Sequence, residues 1–115
     1  MKRVLIVVFL ICFCKAAVAL WCYTCSVGEE DVDTACIYHP EQVTKTDCNK
    51  KYCTIVRQEY KNPPEKIASM FRGCQDYPLF INNTIEDATY RIYYTACQDE
   101  LCNDGSGKLP IKVDE

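Results

Sequence analysis

Eight cysteines between Cys22 and Cys102 constrain this chain more than any other feature. The opening is Leu20-Trp21-Cys22-Tyr23-Thr24-Cys25 and the middle is Cys48-Asn49-Lys50-Lys51-Tyr52-Cys53, with Cys36 between them. Cys74 follows Arg72-Gly73, and the close is Cys97-Gln98-Asp99-Glu100-Leu101-Cys102-Asn103. Two further cysteines, Cys12 and Cys14, fall in a first stretch of different character: a basic start at Lys2 and Arg3, an apolar run from Val4 to Phe13, and Ala17-Val18-Ala19 as a small-x-small site. Residues 1–19 therefore read as a secretory leader cleaved after Ala19. The run is too short to span a bilayer, and Lys15 interrupts it.

An even number of cysteines in a secreted chain of fewer than about 100 residues reads as a disulfide framework. Cys22-x-x-Cys25 and Cys48-x4-Cys53 also resemble zinc-ligand spacings. With a leader to an oxidising lumen and His39 as the one histidine, no metal site is expected. The residues alone leave open all of the roughly 105 pairings that eight cysteines allow. Residues 20–103 fit one domain, and so short a chain buries a limited part of its surface, so cross-links decide whether it folds. Without Lys2, Arg3 and Lys15 the chain keeps ten basic against sixteen acidic residues. That balance argues against nucleic acid or an anionic membrane surface as a partner.

Between the cysteines the pattern is that of strands. Leu20 to Ser26 is aromatic and β-branched, and the acidic, turn-forming run Gly28 to Asp33 ends it. Pro40 marks an irregular stretch before a second strand over Gln42 to Thr46. Cys53 to Tyr60 is the clearest strand and Ile67 to Gly73 its antiparallel partner, joined by a tip whose Pro63 and Pro64 remove two backbone donors and fix φ. Asp76-Tyr77-Pro78 is a break, after which Leu79-Phe80-Ile81 and Tyr90 to Thr95 are strand-like, separated by the polar stretch Asn82 to Thr89. No 3.6-residue apolar stripe runs through any excursion. The expected fold is small, disulfide-rich and all-β, with three β-hairpins projecting from one stapled base. Residues 104–115, polar and glycine-rich, are expected to form a mobile tail.

Catalysis finds little to work with. His39 is the sole imidazole and sits beside Pro40, the cysteines are expected to be bonded, and Glu29 with Glu30 or Glu86 with Asp87 lie in polar loops as solvated charges. No catalytic residue, cofactor or small-molecule substrate is expected. Asn82-Asn83-Thr84 is an N-glycosylation sequon with Asn82 as acceptor. What remains is binding, since loops held rigid by a stapled base lose little freedom on recognition. The first candidate surface is the second tip, Tyr60, Lys61, Asn62, Pro63, Pro64, Glu65 and Lys66; the alternative is a merely solvated turn. Tyr77, Phe80, Tyr90, Tyr93 and Tyr94 offer a second apolar surface, although strand aromatics more often pack a core.

The opening Leu20-x-Cys22-Tyr23-x-Cys25, the ending Cys97-x4-Cys102-Asn103 and the three cysteine-bounded hairpins resemble the Ly-6/uPAR three-finger family of lymphocyte antigens, urokinase-receptor modules and snake neurotoxins. The run Tyr52 to Arg57 through Phe71-Arg72-Gly73-Cys74 looks most like its invertebrate sleepless (quiver) type. The resemblance implies Cys22 paired with Cys53, Cys25 with Cys36, Cys48 with Cys74 and Cys97 with Cys102. It also implies that Asn103 bridges backbone groups in the base. Many relatives have a further bridge ending in a Cys-Cys doublet; here Ala96 stands in its first place and no cysteine lies between Cys74 and Cys97, which bears on the rigidity of the third finger.

As function, the resemblance implies a secreted, extracellular modulator of a membrane receptor or ion channel, of the nicotinic acetylcholine receptor or potassium channel type. The alternative within the family is a cell-surface or junction assembly protein. Many relatives carry a glycolipid anchor, and Asn103 to Gly107 has the small residues of an attachment site, but the chain ends in Lys112-Val113-Asp114-Glu115. Release is therefore expected, with membrane association only through a partner or through an anchored longer form on the outer face of the plasma membrane.

Overall fold

The computed structural model describes residues 20–64 and 66–108. Residues 1–19, where a leader and its cleavage point are expected, Glu65 and residues 109–115 lie outside the described residues. Six strands form one antiparallel sheet: β1 (Leu20–Gly28), β2 (Thr44–Cys48), β3 (Tyr52–Tyr60), β4 (Ile67–Gln75), β5 (Asn82–Glu86) and β6 (Tyr90–Cys97). Their order is β2-β1-β4-β3-β6-β5, so consecutive strands pair as three hairpins, joined to one another by the β1–β4 and β3–β6 pairings. β1 divides its length: Leu20 to Thr24 pair with β2, and Cys25 to Gly28 pair with β4.

β3 is central because Thr54, Ile55 and Val56 suit a pleated surface packed on both sides, and it pairs along its length with β4 and β6. Strand residues alternate between faces. Cys53, Ile55, Arg57 and Glu59 point to one face and are buried there; Val56, Gln58 and Tyr60 point to the other and are half-buried. The buried face is covered by the chain itself. A one-turn helix, α1 (Ala35–Tyr38), is tied to β1 by Cys25–Cys36, and Cys36 packs with Ile55 and Met70. Asp33 starts the helix by accepting a bond from the Ala35 amide at 3.0 Å, and Pro40 ends it by restricting His39.

The other cover is the segment after Cys102, which corrects the expected mobile tail for residues 104–108. Arg72, fully buried, donates through Nη1 to the carbonyls of Asn103 and Gly105 at 2.9 and 2.8 Å, and Arg57 donates to the carbonyl of Ser106 at 2.9 Å. Gly107 closes the segment onto the core at φ +86°, where an added Cβ would stand 2.9 Å from Ile55 Cγ2. Both the backbone angle and the space demand glycine there. Composition reads as flexibility, but the carbonyls of this stretch are acceptors for two buried guanidinium groups.

Two strand expectations are corrected as well. The second strand begins at Thr44 rather than Gln42, because Pro40–Gln42 form a 3-10 turn. Leu79-Phe80-Ile81 is not a strand; β5 is the polar Asn82–Glu86 instead. Since β4 and β5 are not neighbours, residues 76–81 must cross over β3 and β6, and Phe80 lands on Tyr94 with ring centroids 5.1 Å apart. The apolar run is a covering loop, while an edge strand needs little from its outward side chains beyond backbone pairing.

Candidate binding surfaces

The two ends of the sheet are built differently, and the difference defines what each can do. At the base, Cys22, Cys48, Cys53 and Cys97 form a buried cluster with Leu20, Cys74 and Cys102 against it. The bridges are Cys22–Cys53, Cys48–Cys74 and Cys97–Cys102, with Cys25–Cys36 farther up β1. The sulfurs of Cys22, Cys48 and Cys74 lie within 4.8 Å of one another, yet each is bonded to a partner sulfur and offers no thiolate to a metal.

Asn103, fully buried, sits directly after the Cys97–Cys102 loop and ties three strands together. Its Oδ1 accepts from the Tyr23 amide at 2.9 Å, and its Nδ2 donates to the carbonyls of Tyr23, Thr54 and Gly73 at 2.8, 3.1 and 3.3 Å. Only a carboxamide has both the acceptor and the two donors for this position. Arg72 lies beside it and also donates to Cys36 at 2.7 Å; burial pushes its guanidinium down to about 10, partly offset by Asp104. Arg57 and Glu59 make a buried ion pair at 2.7 Å on the same face of β3.

At the other end the hairpin tips are interlocked by exposed polar groups. Tyr60 closes its own hairpin by donating its amide to the Lys66 carbonyl at 2.9 Å, around a turn that includes a cis Asn62–Pro63 bond. The Tyr60 hydroxyl donates to Glu29 at the end of the first hairpin, and Lys66 pairs with the same carboxylate at 2.8 Å while lying over the Tyr60 ring. Toward the third hairpin, Lys61 donates its amide to Thr89 at 2.9 Å and its Nζ to Asp87 at 3.1 Å, with Glu86 at 3.8 Å. The Tyr60 and Tyr90 rings are 5.3 Å apart.

The Lys66 bond, followed by that from Tyr60, holds the Glu29 carboxyl below its ordinary range, and the reciprocal bond to Glu29 pushes the Tyr60 phenol up to about 12. Arg91 holds Glu86 low, and the Tyr90 and Thr89 amides do the same for Asp87. These carboxylates are shifted by partners rather than by burial. Tyr60, Lys61 and Lys66, named from sequence as part of the first candidate surface, have partners within the molecule, and Asn62, Pro63 and Pro64 form the exposed apex. The tip is a preformed shape rather than a loose turn.

The more open apolar surface lies on the sheet face opposite the tail. Phe71, Val56 and Tyr94 form one row across β4, β3 and β6, and Gln58, Ile92 and Ile85 another across β3, β6 and β5. Phe71 lies flat over Gly73, where a Cβ would meet its ring at 2.5 Å, and borders an open hollow of about 500 Å³ between β1 and β4. The crossing loop covers only part of this face, leaving Leu79 and Tyr77 more than four-fifths exposed, with Lys51 5.1 Å over the Tyr77 ring. Of the aromatics singled out in the sequence, Tyr90, Tyr93 and Tyr94 are half-buried in the sheet and Phe80 is half-buried in the crossing loop against Tyr94.

His39 is exposed and 3.4 Å from Glu41. Asn82 is exposed at the start of edge strand β5. The buried Arg72, Arg57–Glu59 pair and docked Gly107 were not legible as a cluster, because sequence position says nothing about which face of β3 is covered. Among the described residues no helix is long and apolar enough to cross a membrane. Compared with protein-family models, curated proteins and solved structures, the chain has no match.

Proposed function

We propose that this chain is an extracellular binding module of the Ly-6/uPAR three-finger type, which modulates a membrane receptor or ion channel by laying its second and third hairpins against the receptor's extracellular domain. Four bridges fit an oxidising compartment. Three successive hairpins sharing a stapled end support the three-finger reading. The observation that carries the binding role is the asymmetry of the sheet: one face is sealed by α1 and the segment after Asn103, while the other leaves Phe71, Leu79 and Tyr77 exposed. Apolar groups left in water beside a preorganised scaffold mark a surface that gains by being covered.

Co-expression with receptor and channel subunits under voltage clamp tests this reading. The expected outcome is a change in current amplitude or kinetics that is lost in a Phe71→Ser, Leu79→Ser double variant whose mass still reports four bridges. Currents indifferent to the wild-type protein across nicotinic-type and potassium-channel subunits count against modulation and favour cell-surface assembly through the same face.

A further inference from the structure

The third hairpin is the least tied part of the sheet. Among the described residues every strand except β5 contains at least one cysteine, and β5 is an edge strand exposed at all of its residues, with β6 as its one described partner. It is also the strand that carries the sequon. Asn82 and Thr84 are two residues apart on one strand and so project to the same face, opposite Thr95 and Tyr93 of β6. These four residues, with Asn83, Tyr94 and Lys108, line a hollow of about 100 Å³.

The chemistry of that hollow suits a pyranose, which has an apolar C–H face and a polar rim. Tyr93 supplies a half-buried ring, paired across the ladder with Thr84. Thr84, opposite Tyr93, carries an exposed hydroxyl at the margin, whereas the Thr95 hydroxyl is withdrawn from solvent and bonds to no described residue. A ring for stacking and hydroxyls at its margin are the usual elements of a small polar-apolar site.

We propose that Asn82 bears an N-linked glycan whose first sugar packs against Tyr93 and clamps β5 onto β6, supplying the tie that no disulfide provides there. This rests on the extracellular reading, since the donor is the lipid-linked oligosaccharide of the secretory pathway. In the transfer, Asn82 Nδ2 bonds to the anomeric carbon of the first sugar, the bond from that carbon to the lipid pyrophosphate breaks, and an amide proton passes to a base of the host transferase. The sugar lies on the tail side of the sheet at its outer edge. It therefore leaves Phe71 accessible and guards the unpaired edge of β5 against pairing with another chain.

The test is expression of the full chain in animal secretory cells, once with its own residues 1–19 and once behind a heterologous leader. The secreted protein is expected to lose mass with a glycosidase and to do so no longer as Asn82→Gln. Hydrogen exchange over residues 82–86 is expected to be severalfold faster in Asn82→Gln, unchanged when an endoglycosidase trims the glycan to its first sugar, and equally fast in glycosylated Tyr93→Ala. A secreted, four-bridged protein with no sugar overturns the site, and equal exchange with and without sugar overturns the clamp. Failure of export by residues 1–19, with export by the heterologous leader, counts against the extracellular reading and not against the site.

Discussion

The base and the tips of this sheet solve the same problem, holding three hairpins in one arrangement, with opposite materials. The base uses covalent bonds and polar groups withdrawn from water, including Asn103 and Arg72. The tips use Glu29, Tyr60, Lys61, Lys66 and Glu86, all reached by solvent. Buried hydrogen bonds are expensive to leave unmade, whereas exposed ion pairs contribute little and are screened by salt. The base should therefore set stability, and the tips should set only local shape.

The largest expected effect comes from opening the base. Replacing Cys22 and Cys53 together by serine should lower unfolding free energy by about 2–5 kcal/mol in a denaturant titration. That is a large share of the roughly 5–15 kcal/mol by which ordinary domains are stable. An unchanged midpoint would erase the distinction between the two ends. Next, Asn103→Ala with all four bridges intact should lose about 1–3 kcal/mol for a buried group left unpaired. Asn103→Asp sharpens the point: a carboxylate can still accept from Tyr23 but cannot donate to three carbonyls, so it should rescue nothing.

The smallest expected effect lies at the tips. A raised phenol contributes stability in full below its ordinary value of 10 and loses it as pH climbs toward about 12. A depressed carboxylate contributes in full above its ordinary value of 4.5 and loses it as pH falls through its lower folded value. Glu29→Gln should therefore return the late tyrosinate absorbance step toward 10 while leaving the denaturation midpoint almost where it was. A large drop in that midpoint would show that the tips share the structural work of the base.

The strands that could be read along the chain were those whose side chains must satisfy two faces. Cys53 to Tyr60 and Ile67 to Gly73 lie within β3 and β4, and the two prolines between them mark the turn. β5 was illegible because an edge strand is defined by its backbone ladder, and Asn82 to Glu86 present no apolar period. The inner face of β3 was illegible for a different reason. Ile55, Arg57 and Glu59 mix apolar and charged side chains on one face, and it takes the segment through Gly107 to supply a cover and a carbonyl for Arg57. The candidate tip was located by its residues, but their pairing with Glu29 and Asp87 spans 31 and 26 positions of chain.

By itself the sequence determined a small β domain rich in cysteine, because local pattern and cysteine count are properties of neighbouring residues. The tertiary structure alone decided which face of the sheet is sealed, where the short segment after Asn103 goes, and which charges meet across hairpins. Those outcomes depend on distances between residues far apart in the chain, and one backbone carbonyl placed over a buried guanidinium leaves no trace in the identity of the residue that provides it.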